Sequence, residues 1–144
     1  MADYARIHLD RRLTWGETRE SAVREIEALV KGEDARVFIP NYDETAYTGR
    51  RYGMEKYYPT WKWPEGHAAV QAGARTFQAL FGRPPRIGKW TFSTNAVTIS
   101  GVYGIPAIGF GPGAEAMAHA PDEKTPIADL VNAAAFYAMY AYTV

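Results

Sequence analysis

The chain has 144 residues, 47% of them hydrophobic, and its 16 basic and 16 acidic side chains balance to a formal net charge of zero. A chain of this length and composition forms one domain or two small ones and is not expected to be disordered. The absence of a basic excess argues against nucleic acid as a partner, because phosphate binding requires one. The chain contains no cysteine, which excludes disulfide bonds and thiolate metal sites.

Two further features of the sequence bear on the cellular location of the protein. Residues Met1–Tyr4 lack the basic and then apolar pattern of a secretory signal. The longest apolar region, residues 133–144, is too short to span a bilayer. Together with the absence of cysteine, these features predict a cytoplasmic protein with no membrane partner.

The first 39 residues predict a β-α-β unit. Apolar and polar residues alternate over residues 5–10, which is typical of a strand with one exposed face. Thr14 and Glu17 have the spacing of a capping box, so a helix is predicted to begin there and to end at Gly32. A second strand is predicted over residues 35–39, where apolar residues again alternate.

The middle of the chain is rich in tyrosine, tryptophan, proline and glycine. These residues predict a connector over 47–64, between a first domain over 1–46 and a second over 65–144. The aromatic side chains could form the wall of a ligand site in which Arg50 or Arg51 binds a carboxylate. They could equally pack at a domain interface, which is the plainer interpretation.

The second half of the chain predicts an alternation of helices and strands. Pro64 and Gly82 bound a helix, and Thr125 followed by Pro126 predicts the N-cap and first residue of another, which runs to Tyr142. Periodicity does not decide between helix and strand for residues 95–101. Two strands are predicted here, over residues 86–92 and 105–110, the second of them buried.

A loop with one histidine follows the second of these strands. His119 lies three and four residues before Asp122 and Glu123, and imidazole beside carboxylates suits a divalent metal such as zinc. The two carboxylates would also favour the N-terminus of the helix that follows, so the residues alone leave both interpretations open. The other histidines, His8 and His67, are predicted to be surface residues rather than ligands.

Several segments, taken in order, resemble one known family. They are Ile7–Thr14, Lys89–Asn95, Tyr103–Pro106, Gly109–Gly113 and Ala118–Glu123. The order is similar to that in the cocatalytic zinc metallopeptidases and amidohydrolases, which include acetylornithine deacetylase, succinyl-diaminopimelate desuccinylase and carboxypeptidase G.

The resemblance implies an α/β fold of two parts. Residues 1–46 would be the second half of a lid or dimerisation domain, a partial β-α-β unit that forms half of a ferredoxin-like fold. Residues 65–144 would be the C-terminal part of an α/β zinc-peptidase catalytic domain. The intact family site holds two zinc ions, with cobalt or manganese as alternatives, and zinc activates the water that attacks an amide carbonyl.

The resemblance also assigns residues to the site. His119 matches the last metal ligand, and Thr94, Asn95, Gly111, Pro112 and Gly113 match segments that line the substrate pocket. Many relatives carry aspartate where this chain has Asn95. The family's other four ligands and its general base lie upstream in the pattern, so no catalytic residue is assigned here.

These features predict the C-terminal segment of a zinc-dependent amidohydrolase or deacetylase acting on an N-acyl amino acid or dipeptide. The chain is expected to be inactive without an N-terminal half and to associate either with that half or as a homodimer. Unpaired strand edges in the partial lid would favour such association. The alternatives are a non-catalytic dimerisation or binding module derived from the family, and a decayed gene product with no function of its own.

Overall fold

A computed structural model describes residues 3–144 of the chain. Two compact units are formed, Met1–Trp61 and Lys62–Val144. The division between them falls within the segment predicted as a connector. Residues 1 and 2, which belong to the predicted first domain and to the N-terminal pattern discussed above, lie outside the described residues.

The first unit contains one helix, α1, over Arg19–Leu29. Thr18 is its N-cap: the Thr18 hydroxyl accepts a hydrogen bond from the Ser21 amide at 3.2 Å, and the Ser21 hydroxyl oxygen accepts one from the Thr18 amide at 2.9 Å. This reciprocal arrangement is a capping box, and it satisfies amides that would otherwise lack a partner at the helix start. The predicted helix is therefore present.

The start of α1 predicted at Thr14 is wrong by four residues. Gly16 has a φ of 95°, a left-handed conformation through which a right-handed helix cannot continue. The pair that suggested a capping box forms a separate turn, in which the Glu17 carboxylate accepts from the Thr14 amide at 2.6 Å. This backbone hydrogen bond, together with one from the Arg11 guanidinium, lowers the pKa of Glu17 to about 2.

A short antiparallel hairpin follows, with β1 (Asn41–Tyr42) paired to β2 (Met54–Glu55). It joins α1 through a charged pair, because Arg19 Nε donates to Glu55 Oε2 at 3.0 Å and a second guanidinium nitrogen contacts the other carboxylate oxygen. The sequence pattern did not predict this hairpin, because its strands are only two residues long and lie among glycines and prolines.

The four predicted strands, over residues 5–10, 35–39, 86–92 and 105–110, are wrong. In the part of the chain that the structure describes, none of these segments is hydrogen-bonded into a ladder. An alternating pattern places apolar side chains on one face of an extended segment. A strand also needs a neighbouring strand to pair its backbone groups, and these segments have none within residues 3–144. The partial lid and catalytic fold therefore remains a prediction.

The second unit begins with helix α2, over Ala68–Phe81. His67 is its N-cap, with ring Nδ1 accepting from the Ala69 amide at 3.2 Å. Gly82 ends the helix in a left-handed conformation with φ of 66°, the usual way in which glycine terminates a helix. The predicted helix and its glycine terminus are confirmed, but the helix begins at Ala68 rather than near Pro64.

Helix α3 spans Ile127–Tyr140, close to its predicted range. Its start differs from the prediction, because Pro126 has an extended ψ of 136° and is the N-cap rather than the first helical residue. Thr125 makes no capping hydrogen bond, so its predicted role is wrong. Proline still fits this place, since its missing amide is not needed at a helix start.

The segment that periodicity left undecided forms a short π-helix over Val97–Val102. Its wider turn is seen where the Tyr103 amide bonds the Thr98 carbonyl, five residues back, at 3.1 Å. Inside it, the buried Ser100 hydroxyl donates to the Ile105 carbonyl at 2.6 Å and accepts from Trp63 Nε1 at 3.2 Å. These bonds fix the chain reversal that leads into residues 105–110.

The core of the second unit lies between α2 and α3, where Ala72, Ala133 and Phe136 are buried. The opposite face of α3 is open to solvent, with Ile127 80% and Val131 64% exposed. The apolar composition of α3 predicts burial on most sides, yet only one side is covered within this unit.

Candidate functional site

The glycine-proline turn that precedes His119 starts from an anchored residue, Phe110. The centroid of the Phe110 ring lies 4.0 Å from that of Phe136 on α3 and 6.0 Å from that of Phe77 on α2. The Tyr137 hydroxyl donates a hydrogen bond to the Phe110 carbonyl. Helices α2 and α3 therefore fix the point at which the loop leaves the core.

Trp90 covers the backbone just before this anchor. A Cβ placed on Gly109 would lie 2.3 Å from Trp90 Cη2 and within 2.8 Å of two more ring atoms, so only glycine admits the indole. The Trp90 ring also stacks on Phe92, with centroids 5.3 Å apart. The end of the segment predicted as a strand over residues 86–92 is thus held against residue 109 by an aromatic contact rather than by a ladder.

Glu115 provides a second connection between the same two segments. One of its carboxylate oxygens accepts from the Thr91 amide at 2.8 Å and from the Thr91 hydroxyl at 2.5 Å. These two hydrogen bonds lower the pKa of the Glu115 carboxyl. The bond from the Thr91 hydroxyl has the larger effect and the bond from the Thr91 amide the smaller one. The residues are 24 positions apart, so the carboxylate fastens one loop to the other.

The predicted substrate-binding turn, Gly111–Gly113, is exposed. Gly113 has a φ of 86°, a conformation that favours glycine, and its amide lies 3.4 Å from Asp129 Oδ2 on the first turn of α3. A Cβ on Gly113 would also approach Thr125 Oγ1 to 3.0 Å. The turn is therefore set by the start of α3 while its backbone stays accessible.

His119 is exposed and has a φ of 65°, the only positive φ among the described non-glycine residues. Its amide donates to Glu123 Oε2 at 3.0 Å. Non-glycine residues in this conformation are uncommon, and such backbone strain is concentrated at functional sites. Glu123 thus holds the backbone of His119, in addition to any electrostatic effect on the helix that follows.

The other predicted substrate-binding residues, Thr94 and Asn95, immediately precede the π-helix. The Thr94 hydroxyl accepts from the Ala96 amide at 3.2 Å, and the Asn95 carbonyl accepts from the Thr98 amide at 3.1 Å. Both residues are exposed. Over residues 3–144 no hydrogen bond joins them directly to His119 or to the Gly111–Gly113 turn; their connection to the turn runs through Thr91 and Glu115.

Within the described residues, no three histidine or acidic side chains come close enough together to hold a metal ion. His67 was predicted to be a surface residue, but it is half-buried: it caps α2, and its ring lies 4.7 Å from that of Trp63. His8 is exposed. The described residues therefore do not fit a complete metal centre, and the role of His119 as a metal ligand stays a prediction.

The tyrosine-rich hairpin does not present a free pair of arginines. Arg51 is bound to Asp43, with Nη2 to Oδ2 at 2.9 Å, and Tyr47 is fully exposed at the tip. The carboxylate-binding interpretation is therefore weakened for Arg51.

The sequence patterns did not reveal the roles of Glu115 and Tyr137. Each of these residues contacts a residue more than 20 positions away, and no local spacing signals such a contact.

The sequence model of peptidase family M20/M25/M40 matches residues 6–143. The chain belongs to this family, whose members are in general metal-dependent, with zinc, and act as amidohydrolases or peptidases. This confirms the family resemblance at that level.

Across the described residues, the helices are all too short or too polar to cross a membrane.

Two curated relatives are similar over almost the whole chain. Both carry the name "Uncharacterized protein YgeY", one from Escherichia coli K12 and one from Escherichia coli O157:H7. Each is 52% identical over 140 residues, which is 96% of this chain and 35% of the relative. The chain thus spans about a third of the length of these relatives. No solved structure gives a significant match.

Proposed function

We propose that this chain is the C-terminal segment of a metal-dependent amidohydrolase that cleaves an amide bond in an N-acyl amino acid or a dipeptide. The family match over residues 6–143 supports the reaction class. The observation that carries the proposal to a site is the backbone of His119, which Glu123 holds in a left-handed conformation. The family resemblance assigns the role of last metal ligand to this residue.

The proposed substrate contacts are Thr94, Asn95 and the Gly111–Gly113 turn. All are exposed, and the segments that contain them are fastened together by Glu115. The exposed backbone of the turn suits hydrogen bonds to an amide or carboxylate group of a small substrate. Direct base or acid chemistry is not assigned to any residue of this chain.

The metal centre of the proposed enzyme requires ligands that the described residues do not supply. The complete centre would hold two zinc ions, with cobalt or manganese as alternatives. We assign the remaining ligands to an N-terminal half. A homodimer is the second proposed association, and it is not expected to complete the centre because it repeats the same residues. The open apolar face of α3, which includes Ile127 and Val131, supports association with further protein surface.

Complementation tests the proposal. The chain is co-expressed with the part of the Escherichia coli K12 relative that it does not match, and hydrolysis of N-acetyl amino acids and dipeptides is measured with added zinc. The chain alone is expected to show no hydrolysis, whereas the assembled pair hydrolyses one of these classes. His119→Ala should abolish the activity of the pair, and His8→Ala, the matched histidine control, should leave it unchanged.

Two results would count against the proposal. Hydrolysis by the chain alone, abolished by His119→Ala, would show that the site is complete without a second polypeptide. A stable pair that binds neither zinc nor substrate would favour the non-catalytic binding module instead.

A further inference from the structure

We propose that Glu115 is a positioning residue that sets the separation of the two halves of the substrate pocket. One half carries Thr94 and Asn95, and the other is the Gly111–Gly113 turn. The inference rests on the proposed function, because that function gives these segments a substrate to hold. The contacts that support it are independent of any metal.

The position of Glu115 makes it suited to this task. It lies two residues after the glycine turn, and its partner Thr91 lies three residues before Thr94. Both donors on Thr91, the amide and the hydroxyl, converge on the same Glu115 oxygen at 2.8 and 2.5 Å. A movement of either segment away from the other must therefore break two hydrogen bonds to a charged acceptor, which are stronger than bonds between neutral groups.

No other polar contact performs this function within residues 3–144. Hydrogen bonds from segment 89–95 to segment 109–119 are confined to those between Thr91 and Glu115. An apolar contact also joins the two segments, where the Trp90 indole lies over Gly109. An indole can slide on a flat backbone, whereas two donors converging on one oxygen fix both distance and direction. Glu115 thus determines the register between the segments.

The test begins with amide NMR of the full 144-residue chain. Glu115→Ala is expected to increase the hydrogen-exchange rate of the Thr91 amide about tenfold, because it removes a charge-assisted hydrogen bond. It should also shift the signals of both pocket segments, Thr94–Asn95 and Gly111–Gly113. Glu115→Gln keeps an acceptor oxygen but not the charge, and should reverse most of both changes. Asp122→Ala, a carboxylate in the same loop with no bond to Thr91, is the matched control.

The second readout is kinetic and uses the assembled pair described above. Glu115→Ala should raise KM about tenfold while kcat changes less than about twofold, because the residue arranges the pocket and does not touch the reacting atoms. Glu115→Gln should return KM most of the way to the wild-type value. A general loss of folding in Glu115→Ala would instead lower kcat by reducing the fraction of active enzyme, and it would not change KM alone.

The outcomes separate the inference from the function on which it rests. Unchanged Thr91 exchange and unchanged pocket signals in Glu115→Ala would overturn the inference, as would an equal effect of Asp122→Ala. If exchange and signals respond as expected but the assembled pair hydrolyses no substrate, Glu115 still fixes the two segments and the proposed function fails. If the pair is active and KM is insensitive to Glu115→Ala, the positioning role is refuted.

Discussion

Phe136→Ala tests whether the aromatic core holds the loop that carries His119. Phe136 is 3% exposed, and its ring stacks on Phe110 with centroids 4.0 Å apart and on Tyr140 with centroids 5.9 Å apart. Truncation leaves a cavity where α3 meets the start of the glycine turn. We therefore expect loss of stability in the second unit together with disorder of the loop.

The magnitude follows from burial. Truncation of a buried phenylalanine to alanine costs about 3–5 kcal/mol, and this value includes the residual cavity. Each aromatic pair contributes about 0.5–1.5 kcal/mol beyond its buried area, so loss of two pairs places the result toward the upper part of that range. Few other buried side chains in this unit are available to compensate, since Ala72 and Ala133 are small.

Urea unfolding followed by circular dichroism measures the change, and amide NMR identifies the affected residues. Ile127→Ala on the exposed face of the same helix is the control and should alter the free energy of unfolding by less than about 0.5 kcal/mol. The reasoning is refuted if Phe136→Ala costs less than about 1 kcal/mol, or if the signals of residues 109–119 are unaffected.

Two further predictions concern the turn before α1 and the indole over the loop. The Thr14 amide, followed by the Arg11 guanidinium and the Thr14 hydroxyl, lowers the pKa of Glu17 to about 2 from an ordinary value of 4.5. This carboxylate therefore stabilises the turn above pH 4.5 and loses that effect as the pH falls through 2. Carboxyl NMR titration measures the pKa, and a value near 4.5 would contradict the geometry. Gly109→Ala should displace the Trp90 indole, seen as a shift of its indole NH signal, whereas Gly111→Ala, with open space around its backbone, should not.

Helices were the part of the fold that sequence patterns predicted well. The stripe of α2 and its terminal Gly82 are encoded within a few residues, because a helix satisfies its own backbone. Helix starts were less certain, since the pattern at Thr14 satisfied one rule of capping while Gly16 prevented the helix from starting there.

Strands were predicted poorly for a physical reason. Alternation at residues 5–10 and 35–39 describes which side chains would face a core, but the ladder partner is a distant segment that no local pattern specifies. Conversely, the hairpin of β1 and β2 is held by backbone pairing over two residues per strand, too short to generate any periodicity.

In the candidate site, too, locally encoded features were predicted and long-range contacts were not. His119 and the glycine turn were predicted because their residue types carry the chemistry or the backbone freedom. The contacts that arrange them were not, since Glu115 acts on Thr91 across 24 positions and Tyr137 acts on Phe110 across 27. Such contacts depend on how segments distant in sequence fold against each other, which only the structure supplies.

Zinc content is the most direct test of the central claim that His119 is one ligand of a centre completed by a second polypeptide. Elemental analysis gives zinc per complex for the chain assembled with the complementary part of the Escherichia coli relative. We expect stoichiometric zinc in the pair, loss of zinc with His119→Ala, and no stoichiometric zinc in the chain alone. Stoichiometric zinc in the pair that is unaffected by His119→Ala would contradict the ligand role of His119.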